Sequence, residues 1–161
     1  MTQFYAQPYS ISHHGFYFNS PQEYEKGMAQ LESLGCEEVE IEFIDGDDPQ
    51  SLLAQYARIS QADIDLWYEW IEVLPDTEID QILYLLQCGY SLEDAVRRYE
   101  EVGIWYGSAE DYAYELYQDS FDIPEHLEPY IDYAAIARDL RLGGDIAEVR
   151  DGIWCINPTD F

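Results

Sequence analysis

Positive charge is what this 161-residue chain lacks most. Lys26 is its one lysine, and with six arginines it makes seven cations against 34 Asp and Glu, a formal net charge of −27. A chain without a basic stripe has no grip on phosphate, which excludes nucleic-acid binding, anionic lipid and nuclease chemistry. Cysteine is scarce as well. Cys36, Cys88 and Cys155 stand far apart and form no CxxC pair. Such a set excludes a disulfide framework or a zinc knuckle and fits a reducing cytoplasm. No apolar run approaches the ~18 residues of a membrane span. The first residues carry neither the basic nor the apolar region of a secretion signal. Catalytic signatures are missing too: there is no GxSxG, no phosphate loop and no dinucleotide fingerprint. "DGDDPQSLLAQY", from Asp45 to Tyr56, misplaces the glycine and the final glutamate of a calcium loop. His13 and His14 have no spaced partner ligand. The expectation is therefore a chain with no metal, no cofactor and no enzymatic turnover.

Hydrophobic residues make up 47% of the chain, too many for a disordered acidic tail. The acids run from Glu23 to Asp160 without forming a block, so the whole surface is anionic. Such a surface repels itself and steers towards basic partners. Duplex DNA carries one charge per ~1.7 Å, so this net charge corresponds to roughly 46 Å of duplex.

Capping and periodicity predict an α+β protein of three small domains. The first, 1–47, is mixed α/β. "FYAQPYS" and "GFYF" read as strands, Ser20-Pro21 with Glu23 starts a helix, and Gly35 ends it. The second, 48–103, is a helical bundle with starts at Asp48-Pro49, Ser60, Thr77 and Ser91. Its apolar stripes include Ile64, Trp67, Ile71 and Leu74, then Ile79, Ile82, Leu83 and Leu86. The third, 104–161, is α+β: a strand at "IWYGS", helices opened by Ser108 and Asp132, and a closing hairpin that turns at Asp151-Gly152.

"EEVEIEFIDGDDP", Glu37 to Pro49, has seven acids in thirteen residues and alternates. Val39, Ile41 and Phe43 take one parity and Glu38, Glu40 and Glu42 the other, which predicts a strand with one acidic face. Like charges along a strand are costly. In the next segment Asp65, Glu69, Glu72 and Asp76 recur at helical spacing, predicting a second acidic row. Both repeats are of the order of phosphate separation along one DNA strand. Glu93, Glu100, Glu110 and Asp111 extend the candidate surface. An acidic surface can also be merely solvated, and a halophilic protein shows the same lysine depletion; loss of structure at low salt marks the halophile. The fifteen tyrosines fit a core and its boundary, or an interface.

"YIDYAAIARDL", Tyr130 to Leu140, resembles the C-terminal hallmark of the ArdA family of antirestriction proteins. "FYAQPYSISHHGFYFNSPQEY" and "FIDGDD" are similar to its N-terminal part. The resemblance implies an elongated, three-domain, homodimeric protein in the cytoplasm of a bacterium, encoded on a mobile element. It implies a DNA mimic that occupies the DNA-binding groove of Type I restriction–modification enzymes. It also implies an antirestriction motif, here at Leu127, Tyr130, Ile131, Tyr133, Ile136 and Leu140, at the dimer contact. The alternative is an acidic, immunity-type partner of one basic nuclease or other DNA-binding protein; breadth of inhibition separates the two.

Overall fold

A computed structural model describes all residues from Met1 to Phe161. It is a mixed α+β structure with seven α-helices and two small antiparallel sheets. Its contacts divide it into two compact units, Met1–Arg97 and Arg98–Phe161.

The first unit is built on a sheet in the order β2 (Phe16–Phe18), β1 (Gln3–Pro8), β3 (Val39–Asp45). Its inner face is set by register. Phe4 lies between Phe18 and Phe43, and Ala6 between Phe16 and Ile41. Helix α1 (Pro21–Ser33) joins β2 to β3. Ser20 caps it by accepting from the Glu23 amide at 3.2 Å, and Glu23 reaches back to the Asn19 amide at 2.8 Å. It ends as expected at Gly35, whose φ of +83° only glycine adopts cheaply. The Gly35 and Cys36 amides donate to the Glu32 and Leu31 carbonyls, closing the last turn.

Helix α2 (Asp48–Ala57) packs on both β3 and α4 (Asp76–Gln87). The Phe4 ring meets the Trp67 ring edge-on at 5.3 Å. The first two of the three expected segments therefore share one core, completed by Leu53, Ile64, Ile71, Ile79, Ile82 and Leu83, all fully buried.

One helix predicted after Ser60 is instead a composite. A 3₁₀ turn (Gln61–Asp63) leads into a single α turn, α3 (Ile64–Leu66), and then a π turn (Trp67–Ile71). The run stops before Pro75, whose ring disfavours helix in the residue before it. Helix α4 opens at Asp76 rather than at a Thr77 cap, and Thr77 sits inside its first turn. The Glu72 amide bonds back five residues to Trp67. That wider turn brings Tyr68 and Glu72 to Thr2, which is fully buried. Tyr68 donates to the Thr2 carbonyl and Glu72 accepts from its amide. Gln50 and Trp67 bind the Thr2 hydroxyl at 3.2 and 3.1 Å, so every polar atom of Thr2 is satisfied.

Burial first, then the Glu72 and Glu23 charges, push the Tyr68 hydroxyl above the usual tyrosine range. A phenol held neutral when folded contributes stability that is complete below its unfolded pKa of about 10 and is lost as pH rises beyond it. Tyr68→Phe should therefore cost about 1 kcal/mol at neutral pH through the lost hydrogen bond. It should also flatten the fall in stability between about pH 9 and 11. Chemical denaturation at both pH values checks this; an equally steep fall in the variant disproves the role of Tyr68.

Helix α5 (Leu92–Arg98) closes the first unit, with Ser91 and Asp94 bonded reciprocally at its start. In the second unit the sheet order is β4 (Ile104–Tyr106), β6 (Ile153–Cys155), β5 (Ala147–Arg150). The predicted hairpin turns at Asp151-Gly152, with Gly152 at φ +71°. Helices α6 (Ala109–Ser120) and α7 (Tyr133–Gly143) pack together over a core of Ala109, Ala113, Ala137, Ile146 and Trp154. Asp132 caps α7 through the Ala135 amide at 2.9 Å.

Candidate functional site

The acidic row on β3 is real but differs from its reading in the sequence. Glu40 lies opposite Gln7 and Glu42 opposite Tyr5, and both are exposed. Glu38 is also exposed but precedes the strand. A register shift then passes over Ile44, leaving it without a partner, and places Asp45 opposite Gln3. One extra residue thus restores an acid to the outer row after Glu42. Asp45 was not among the expected residues, because a bulge depends on the pairing partner and leaves no local signal. The register also answers the cost question. Across the strands the acids face Gln and Tyr, not other acids, so repulsion acts only along β3, at steps of roughly 6.6–6.8 Å.

The second predicted row does not form on one helix. Asp65 and Glu69 are exposed, but Glu72 has a side chain only 16% accessible. Its carboxylate is occupied by the Thr2 amide and the Met1 amine, the latter at 3.6 Å. Asp76 belongs to the first turn of α4, where an acid complements the helix dipole.

Of the remaining candidates, Glu93 is paired with Arg97 at 2.5 Å. Glu100 is exposed in a 3₁₀ turn, beside Glu101, whose carboxyl Arg98 holds below the usual range by hydrogen bonding. Glu110 is exposed on α6. Asp111 spends one oxygen on the capping box of that helix, accepting from the Ser108 hydroxyl at 2.6 Å. No three His, Cys, Asp or Glu side chains are grouped to hold a metal ion. No helix is long and apolar enough to cross a membrane.

The geometry is that of a carboxylate-rich surface on a packed α+β scaffold, and the profile of one family, described as antirestriction protein (ArdA), matches residues 10–154. The chain belongs to the ArdA family. A search of the curated proteins finds no match.

Within this ArdA chain the six residues of the expected antirestriction motif divide by environment. Tyr130 is 84% exposed and Leu127 is exposed beside it in sequence. Ile131 is half-buried. The Tyr133 ring packs edge-on against Tyr114 at 5.1 Å. Ile136 and Leu140 face inward, against the core of the second unit. The Tyr114 hydroxyl is held above its usual range, chiefly by the Glu128 carboxylate to which it donates at 3.3 Å. Sequence periodicity placed Ile136 and Leu140 on one stripe of α7, but only the packing of α6 reveals that the stripe is used within the chain.

Proposed function

We propose that this ArdA chain is an inhibitor that mimics DNA and occupies the DNA-binding groove of Type I restriction–modification enzymes. It acts by occupancy, without turnover, and as a homodimer joined through the exposed Leu127 and Tyr130 with Ile131. Family membership supports antirestriction. The observation that carries the mimicry is the outer row of Glu40, Glu42 and Asp45 on an edge strand, set opposite uncharged neighbours. A groove evolved for phosphates binds through charge that carries no sequence information. Carboxylates held by a folded sheet meet it with the ordering cost already met on folding.

The test is displacement of DNA from a purified Type I methyltransferase core. The wild-type chain should displace DNA of unrelated target sequences equally well. The triple variant Glu40→Gln, Glu42→Gln, Asp45→Asn should compete about tenfold less well, at some tenths of a kcal/mol per lost ion pair. Its folded state should be no less stable. A wild-type chain that leaves DNA bound at any concentration refutes the proposal, and a variant of undiminished potency removes the row from the mimic.

A further inference from the structure

Each sheet contains one row in which an edge glutamate, a central aromatic residue and an aromatic residue on the other edge lie side by side. In the second unit the row is Glu148, Trp154 and Trp105, on β5, β6 and β4. The chain fills this row itself. Arg141 of α7 sets its guanidinium over the Trp154 ring at 5.0 Å and its terminal nitrogen 3.8 Å from the Glu148 carboxylate. In the first unit the row is Glu42, Tyr5 and Tyr17, on β3, β1 and β2. Its two rings meet at 4.7 Å, Tyr17 is 62% exposed and Glu42 is exposed. Glu42 makes no ion pair within the chain.

The Tyr row is also held in place. A side chain at Gly15 would collide with the Ala6 carbonyl and the Tyr5 ring, so the β1–β2 loop lies directly against Tyr5. Glu40 continues the negative charge next along β3. The pattern that takes up a guanidinium inside one unit is therefore open to solvent in the other.

We propose that the row Tyr17, Tyr5 and Glu42 is an arginine-docking site, which takes a guanidinium from a basic protein partner. The planar cation stacks on the tyrosine faces and turns its N–H fork to Glu42. A lysine ammonium has neither the plane nor the fork, so the site discriminates between the two cations. The inference rests on the reading of the chain as an anionic ligand of a basic groove, and adds to it a contact that the phosphate backbone of DNA does not offer.

The experiment titrates hexa-arginine and hexa-lysine peptides into the full chain at about 0.1 M salt, by calorimetry. Arginine should be preferred about fivefold, the order of one exposed cation–π contact. Tyr17→Leu should abolish the preference while leaving hexa-lysine affinity unchanged. Tyr17→Phe, which keeps the ring, and Tyr130→Leu, which alters an exposed tyrosine elsewhere, should both retain it. Equal affinity of the wild type for the two peptides overturns the site, as does a preference that survives Tyr17→Leu. Thermal melts of each variant establish that the fold is intact. The DNA-displacement assay separates the two ideas. If the wild type displaces DNA and the arginine preference ignores Tyr17, the docking site falls and the mimic stands. If Tyr17 controls the preference but DNA stays bound, the mimic falls and the docking site stands.

Discussion

Raising salt from about 50 to 200 mM should weaken binding of this chain to a Type I methyltransferase core on the order of 10³-fold, if it engages six cations as six phosphates would. The effect has two sources. Cations of the groove regain free counterions as salt rises, and exposed charges are screened over about 7–14 Å in this range. Log affinity plotted against log salt should be linear, and the triple variant at Glu40, Glu42 and Asp45 should lower its slope by up to about three. Circular dichroism should change little over the same range, because the fold rests on buried apolar cores in both units. A protein adapted to high salt would instead lose structure at the low end. Affinity that holds constant from low to high salt contradicts a charge-driven mimic.

The second large effect is on stability. Trp67→Ala should destabilise the first unit by about 3–5 kcal/mol, the cost of deleting a buried large aromatic side chain. Trp67 is fully buried, with its ring against Phe4 at 5.3 Å and tilted towards Phe43 at 6.5 Å. Its indole nitrogen donates to the buried Thr2 hydroxyl at 3.1 Å. The substitution opens a cavity between sheet and helices and takes away that donor. Since small domains are stable by only about 5–15 kcal/mol, much of the margin is lost. Trp67→Phe keeps most of the packing and should cost about 1–2 kcal/mol, mainly for the missing hydrogen bond. Urea denaturation measures both; a Trp67→Ala cost below about 1 kcal/mol would mean that Trp67 does not tie the strands to the helical segment.

The parts of the fold legible in the sequence are those made by chemistry within a few residues. Ser20 with Glu23, Ser108 with Asp111 and Asp132 with Ala135 close bonds three residues apart, so a cap can be read locally. Gly35 and Gly152 mark positive φ where the chain must turn. The candidate site was less legible because its residues are sorted by distant partners. Glu72 has the spacing of an exposed acid, yet Thr2, seventy residues earlier, draws it inward. Asp45 has the wrong parity for the outer row until β1 pairs with β3 and passes over Ile44. Tyr5 and Tyr17 are unremarkable among fifteen tyrosines until register sets them beside Glu42.

The position of β3 at the margin of its sheet has a consequence for self-association. Its outer backbone groups have no strand beside them, and an open edge of this kind invites a second copy to add on. With Glu40, Glu42 and Asp45 along it, two such edges brought together would set like charges against each other at strand distance. The repulsive row thus acts as a guard against polymerisation, and a chain stripped of it would exchange a modest gain in folding for an edge open to aggregation.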